Sequence, residues 1–150
     1  MSTYAGPRRE VLDSAHRALR PAVLGVAPQD WNLPTPCAEW NVTQVLQHAA
    51  GDQLAYASAI TGAPGPSENP FTPSGHLGQT PLAVIDPAMQ AAASAWETVS
   101  EDAGDTPTPL PQGALPPETG VGACALDAAV HAWDIALATG HLGRRPDWTP

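Results

Sequence analysis

Proline is the feature that most constrains what this chain can fold into, because it interrupts both helices and sheets. The chain carries 18 prolines among 150 residues, and more than half of them fall in two segments. These segments are TGAPGPSENPFTPSGHLGQTP at 61–81 and DTPTPLPQGALPPETG at 105–120. Proline lacks a backbone N–H and fixes φ, so neither segment can form a long helix or a central strand. We therefore expect 61–81 and 105–118 to be irregular.

Four other segments have the apolar spacing of amphipathic helices, at 8–26, 42–61, 87–103 and 123–140. Strand-like alternation of apolar and polar residues is nearly absent from the chain. Four helices of similar length joined by irregular segments are typical of a four-helix bundle. The sequence therefore predicts an all-α fold, a four-helix bundle of the up-down type.

The ends of these predicted helices carry local signals. Asn41 and Gln44 occupy the two positions of a capping box before the second helix, and Gly62 follows that helix as a C-terminal glycine. Asp86 followed by proline predicts the start of the third helix at 87. Pro21 should kink or shorten the first helix.

Composition and charge exclude several classes of protein. A chain of 150 residues is long enough for one domain with its own core, so we treat 1–150 as a single domain. Fifteen acids against six bases, with no lysine, give a formal charge of −9. A nucleic-acid partner would require a basic surface. We expect a small-molecule substrate and no nucleic acid, and we leave homodimer formation open.

The absence of membrane, secretion and disulfide signals indicates where in the cell the chain is expected. No uninterrupted apolar run approaches the roughly 18 residues of a membrane span, and the polar N-terminus has no signal-peptide core. Cys37 and Cys124 are too few for a disulfide framework. We expect a cytoplasmic protein without a membrane partner.

The fourth predicted helix carries two neighbouring stripes. The first is apolar and should pack against the other helices; it comprises Leu126, Val130, Trp133 and Leu137. Asp127, His131 and Asp134 form the second stripe beside it. Asp134 could orient a ligand imidazole or cap the polar edge of the helix, and the spacing does not separate these two roles.

Asp127 and His131 are candidate metal ligands because residues four apart lie one above the other on a helix. They can present an oxygen and a nitrogen to one point, as helical ligand pairs of zinc sites do. His48, on the second predicted helix with small residues around it, is the candidate third ligand. Three protein ligands with open positions are typical of a catalytic metal site. Alternatively, His48 is a core-edge histidine bonded to a backbone carbonyl, and the Asp–His pair has no function.

Two stretches taken together resemble a known family. They are PTPCAEWNVTQVLQHAAG at 34–51 and LDAAVHAWDIALATG at 126–140. The combination is similar to the actinobacterial mycothiol-dependent maleylpyruvate isomerase N-terminal domains, within the DinB-like superfamily of metal-binding four-helix bundles. The resemblance covers about 8–143 and implies His48, Asp127 and His131 as the metal triad. The isomerase itself carries a glutamate where this chain has Asp127, so a shorter side chain must reach the metal.

The resemblance implies a metal-dependent enzyme that uses a low-molecular-weight thiol, mycothiol, for S-transfer or isomerisation of a small electrophilic metabolite. A divalent metal ion, with zinc expected, would hold the thiol sulfur as a thiolate. Gln44 and Asp52, each about one turn from His48, are candidates for the polar wall that binds this cofactor. Two alternatives stay open because fold does not fix function: a non-catalytic metal- or ligand-binding bundle protein, and a cofactor-independent biosynthetic catalyst.

Overall fold

The computed structural model describes residues 6–141, and four α-helices account for most of that range. The helices are α1 (Pro7–Leu24), α2 (Val42–Thr61), α3 (Pro81–Glu97) and α4 (Pro117–Ala138). Two short strands, β1 (Thr106–Pro107) and β2 (Ala114–Leu115), pair antiparallel in the connection between α3 and α4. The prediction of an all-α four-helix bundle is confirmed.

The helix directions follow from contacts near the helix ends. Arg8 at the start of α1 donates a hydrogen bond to Glu118 at the start of α4. Gly25, just past α1, lies beside the imidazole of His141, just past α4. These two contacts show that α1 and α4 run parallel. The helices α1 and α3 run antiparallel instead, because the start of α1 pairs with the end of α3 through Arg9 and Glu97.

The remaining helix, α2, runs antiparallel to α4 and therefore parallel to α3. Gln53 donates a hydrogen bond to the carbonyl of Cys124, and His48, earlier in α2, faces Asp127, later in α4. The helices thus alternate in direction at the first and last connections but not between α2 and α3. The predicted up-down order is wrong at α3, because the long 62–80 connection returns along the bundle before α3 begins.

Prolines mark the starts of α3 and α4, and both helices begin earlier than predicted. The third helix begins at Pro81 rather than at 87, with the Thr80 side chain accepting a hydrogen bond from the Ala83 amide, and Pro87 lies inside it. The fourth helix begins at Pro117, six residues before the predicted start. Proline suits the first helical position because its missing N–H has no partner there in any case. The 105–118 segment is accordingly less irregular than predicted.

The second helix agrees with its prediction residue for residue. It spans Val42–Thr61, and Asn41 and Gln44 form both hydrogen bonds of the capping box. Gly62 ends the helix with a φ of 75°, a left-handed conformation that glycine adopts without strain. These local signals fix the register of the helix that carries His48.

The packing face predicted for α4 is wrong. Its four large apolar residues point outward, with exposed fractions of 63% for Leu126, 43% for Val130, 49% for Trp133 and 43% for Leu137. The buried face is made instead of small residues together with Ile135, and includes Val121, Cys124, Ala125, Ala128 and Ala132. Small side chains let α4 approach its neighbours closely, and this close packing requires the larger residues to face outward.

The error arises because α4 is apolar on both faces, so that periodicity alone cannot select the inner one. Among the described helices, α4 alone is long and apolar enough to cross a membrane by length and composition, a test that core helices also meet.

Candidate metal centre

Two histidines and two aspartates converge where α2 and α4 face each other. His48 and Asp52 lie four residues apart on α2, and Asp127 and His131 lie four apart on α4. One potential ligand atom from each residue lies within 4.8 Å of all the others. His48 Nε2 is 3.0 Å from Asp52 Oδ2 and 4.0 Å from Asp127 Oδ1, and His131 Nε2 is 3.3 Å from the same Asp127 oxygen. The structure therefore brings the three predicted ligands together and adds Asp52 to them.

Both imidazoles are oriented through their other ring nitrogen. His48 Nδ1 lies 2.7 Å from the carbonyl oxygen of Pro70, and His131 Nδ1 lies 3.1 Å from Asp134 Oδ2. These oxygens only accept hydrogen bonds, so each Nδ1 must carry the proton and donate it. In the neutral rings both Nε2 lone pairs then point toward the two carboxylates. This arrangement of outer partners is the one that fixes metal-ligating histidines.

Of the two roles considered for Asp134, the structure supports orientation of an imidazole, because its buried carboxylate accepts the hydrogen bond from His131. The alternative considered for His48 is present as well, since its ring does bond to a backbone carbonyl. That bond occupies only Nδ1, however, and leaves Nε2 directed at the acids. The hydrogen bond to the backbone carbonyl is therefore compatible with metal binding through Nε2.

The 62–80 connection supplies the carbonyl that accepts the hydrogen bond from His48, a contribution that was not predicted from the sequence. Pro70 lies so close to α2 that a Cβ added to Gly51 would stand 2.8 Å from its ring. Phe71, the next residue, places its ring 5.4 Å from that of His48. A glycine three residues after a candidate ligand was the available signal, because glycine inside an element often marks close backbone approach.

The structure gives Gln44 a different place from the one proposed for it. Its side chain accepts a hydrogen bond from the Asn41 amide in the capping box and donates to the Pro73 carbonyl. The neighbouring Gln47 bonds the same connection at the Gly75 amide. Both glutamines therefore fasten the 62–80 connection to α2, and Gln44 does not line the cavity beside the centre.

Burial makes the charge on these acids costly. Burial raises the pKa of Asp127 to about 6, the Asp52 carboxylate adds to the rise, and His131 opposes it. Asp127 Oδ2 is buried with no hydrogen-bond partner. Burial lowers the pKa of His48, but its contact with Asp52 and its bond to Pro70 outweigh this effect and raise the pKa overall. The pKa of His131 is also raised, because Asp127 outweighs the effect of burial.

These contacts leave hydrogen-bond acceptors facing one another. With neutral imidazoles, two nitrogen lone pairs and two carboxylates face one point, and no donor lies between them. Such an arrangement is stabilised by a proton, by a water molecule that donates hydrogen bonds, or by a metal cation. Two nitrogens and two oxygens form a donor set that suits zinc and related divalent ions. The residues present therefore fit a divalent cation.

A cavity of about 460 Å³ opens beside the four residues, and Asp52, Asp127 and His131 form part of its wall. This volume lies in the range of small-molecule binding sites. Most of the remaining wall is apolar, and includes Tyr56, Phe71, Leu110, Leu126 and Val130. Burial and nearby acids raise the pKa of Tyr56, so its hydroxyl stays protonated at neutral pH. The cavity wall thus combines two acids and an imidazole with mostly apolar groups.

Sequence and structure comparisons place this chain in a known family. Residues 12–136 match the family model of the mycothiol maleylpyruvate isomerase N-terminal domain. Two proteins of Mycobacterium tuberculosis, from strains CDC 1551 and H37Rv and both described as uncharacterized, are 33% identical over 110 residues. These alignments cover 71% of this chain and 53% of each relative, so the chain spans about half the length of the curated relatives it matches.

A solved structure shows the same fold. It is the crystal structure of a histidine-to-alanine mutant of the mycothiol-dependent maleylpyruvate isomerase, with a TM-score of 0.66 and 16% sequence identity. The match covers 85% of this chain and 59% of that one. The family model spans most of the sequence, including all four residues of the centre. The chain belongs to the mycothiol maleylpyruvate isomerase N-terminal domain family.

Proposed function

We propose that this chain binds a divalent metal ion through His48, Asp127 and His131 and uses it to activate a low-molecular-weight thiol toward a small electrophile. Zinc is the expected ion and mycothiol the expected thiol. The observation that carries the proposal is the buried, unpartnered Oδ2 of Asp127 beside two imidazoles whose Nε2 atoms face the same point. Family membership supports the thiol chemistry.

The ligand roles follow from burial and position. His48, Asp127 and His131 come from two helices, and both histidines are fixed by their Nδ1 hydrogen bonds. A divalent cation held here would supply the Lewis acidity that keeps a bound thiol ionised near neutral pH. At neutral pH a free thiol of pKa about 8.5 is only a few per cent thiolate, so full ionisation provides about thirtyfold more nucleophile.

Asp52 has a separate role in this proposal. Its carboxylate lines the cavity and lies 3.0 Å from His48 Nε2. A carboxylate in this position can accept the proton that the thiol releases, as a general base within hydrogen-bond reach of the reacting group. The Tyr56 hydroxyl, which stays protonated, can donate a hydrogen bond to a polar atom of the substrate from the same wall.

Metal content tests the ligand assignment. We expect His131→Ala to lose most of the metal that the wild-type protein retains through purification, because only His48 and Asp127, on separate helices, would remain of the triad. His76→Ala is the matched control, because His76 is exposed in the 62–80 connection and is not part of the centre. Elemental analysis of the purified proteins gives the result. Wild-type metal content in His131→Ala would overturn the assignment.

Thiol transfer tests the activity. Metal-loaded and chelated protein are incubated with mycothiol and a chlorodinitroarene, and adduct formation is followed. We expect the metal-loaded protein to accelerate the reaction and the chelated protein not to. Asp52→Asn should retain metal and lose rate, which separates the proton acceptor from the ligands. Equal rates with and without metal, across several thiols and electrophiles, would support the metal-binding protein without catalysis instead.

A further inference from the structure

We infer that the cavity beside the metal centre selects uncharged, apolar electrophiles and rejects carboxylate substrates. This inference rests on the proposed function, since it names the substrate class of the same site. It follows from the charges and the apolar side chains that line the cavity, and each of these observations points to the same class.

The charges of the wall come first. Asp52 and Asp127 contribute carboxylates to the cavity, and no arginine or lysine lines it in the described part of the chain. The arginines at 8, 9, 17 and 20 all lie on α1, and none of them reaches this wall. Three of them contact acids elsewhere, as Arg8 does with Glu118 and Arg20 with Asp86.

The charge balance of the loaded site then disfavours a second anion. Two carboxylates neutralise a divalent cation. When the thiol transfers its proton to Asp52, the thiolate replaces one of these negative charges, so the loaded centre keeps no net positive charge that could attract an anion. A carboxylate substrate would lie close to the Asp127 carboxylate and the thiolate, and it would lose hydration in a cavity whose described wall offers no cation to replace it. The formal charge of −9 acts in the same direction at longer range. A neutral electrophile avoids both effects.

The apolar part of the wall favours such an electrophile directly. Phe71 is 70% exposed, Leu126 63% and Val130 43%, and all three border the cavity. Large apolar side chains left this exposed gain stability when a ligand covers them, in proportion to the area removed from water. Asn69 and the Tyr56 hydroxyl provide the polar contacts that would orient a carbonyl group. An aromatic enone is a substrate of this chemical class.

A matched pair of electrophiles tests the inference. Metal-loaded protein and mycothiol are mixed with 3-benzoylacrylate or with its methyl ester, which differ by one negative charge at nearly the same size. Each rate is divided by the uncatalysed rate with the same electrophile. We expect the acceleration for the ester to exceed that for the carboxylate at least tenfold. Equal or greater acceleration for the carboxylate would overturn this inference while leaving the proposed function intact.

Binding gives a second readout that does not depend on turnover. Calorimetric titration of chelated protein with each compound, without thiol and at a pH high enough to deprotonate both imidazoles, should show at least tenfold tighter binding of the ester. The acids and the apolar wall are present without metal. If neither compound reacts faster than in buffer, the thiol activity is lost, and this binding preference still decides the substrate class. Equal binding of the two compounds would refute it.

A charge placed in the wall provides the control. Leu126→Arg puts a cation at the cavity, and Leu137→Arg puts the same cation on the exposed face of α4 away from the cavity. Both positions are exposed, so both variants should fold. We expect Leu126→Arg to reduce the preference for the ester at least tenfold and Leu137→Arg to leave it unchanged. The same change in both variants would show that the overall charge, and not the wall, sets the preference.

Discussion

The substitution Asp127→Asn should have opposite effects on the stability of the metal-free and metal-loaded protein. Asparagine keeps the size of the side chain and removes its charge. In the metal-free protein Asp127 is a buried carboxylate with one unpartnered oxygen, and burial, together with Asp52, raises its pKa to about 6 from a usual value of 3.8. The charged form therefore destabilises the fold, and an uncharged amide relieves that cost.

The sign and magnitude follow from proton linkage. A group whose pKa is raised by folding stabilises the folded protein when it binds its proton, and this stabilisation is complete below the pKa of the group in the unfolded chain. For Asp127 the stabilisation is lost as the pH rises through about 6. A rise of about 2 pK units corresponds to about 3 kcal/mol, an upper limit because His131 shares the proton. We expect Asp127→Asn to match the chelated wild type near pH 4 and to exceed its free energy of unfolding by about 2 kcal/mol near pH 7.5.

The raised pKa of His131 extends the wild-type loss in the same direction, because Asp127 is the main cause of the rise and the imidazolium loses its proton as the pH rises. The pKa of His48 is raised chiefly by Asp52 and Pro70, which both proteins keep, so its contribution largely cancels. Burial lowers the pKa of His16, which has the opposite effect on stability with pH, but His16 is present in both proteins. Its contribution therefore cancels in the difference between wild type and variant.

Metal should make the wild type more stable than Asp127→Asn, which reverses the order of their free energies of unfolding. At a free concentration 1,000 times its Kd, an ion that binds only the folded state adds about 4.1 kcal/mol, which exceeds the advantage of the metal-free variant. We expect zinc to stabilise the wild type by about this amount and to stabilise Asp127→Asn by less than about 1 kcal/mol, because a charged ligand is gone.

The assay is urea denaturation followed by circular dichroism, with chelator or with zinc, at several pH values. Asp102→Asn is the control, because Asp102 is an exposed acid outside the centre and should change stability by less than about 0.5 kcal/mol. If Asp127→Asn destabilises the chelated protein near neutral pH, the charged Asp127 carboxylate does not destabilise the metal-free fold, and the reasoning is refuted. If zinc stabilises both proteins equally, Asp127 is not a ligand.

Two further pairs of variants test the packing and the approach of the 62–80 connection. Ile135→Ala should cost about 2–5 kcal/mol in urea denaturation, because the side chain is fully buried, whereas Trp133→Ala, half-exposed two residues earlier, should cost less than about 1 kcal/mol. A larger loss at Trp133 than at Ile135 would restore the originally predicted face. Gly51→Ala should reduce zinc affinity about 10- to 100-fold in a metal titration, because its Cβ displaces Pro70 and the carbonyl that holds His48. Gly122→Ala, in α4 with open space before its Cβ, should keep wild-type affinity.

Features encoded by short spacings could be predicted from the sequence. The α2 boundaries depend on a capping box of four residues and a terminal glycine, and both are visible in the sequence. The His48, Asp127 and His131 cluster depends on one i, i+4 pair and on one histidine of a facing helix. Because helical geometry fixes where Asp127 and His131 point, spacing predicted this pair of candidate ligands, and the family resemblance added weight to His48 as the third.

The packing face of α4 could not be predicted in the same way, since hydrophobicity measures transfer from water and not fit. Leu126 and Trp133 are more apolar than Ala128 or Ala132, yet the alanines face the core. Where neighbouring helices leave space only for alanine, close helix packing is favoured over burial of large side chains. The available space is set by those neighbouring helices and not by the sequence of α4 itself. Two apolar faces on one helix therefore leave the decision to tertiary structure.

The direction of α3 and the hydrogen bond between His48 and the Pro70 carbonyl have one cause. Because α2 and α3 run parallel, the connection between them must travel back along α2, and its contacts follow that path from Ser58 beside Gly65 to Gly51 beside Pro70. This return path places the Pro70 carbonyl 2.7 Å from His48 Nδ1 and the exposed Phe71 at the cavity. An up-down-up-down bundle would need only a short turn after α2, and no carbonyl would reach His48 from that connection. The orientation of the His48 ring thus depends on the topology of the bundle, which no local pattern in the sequence records.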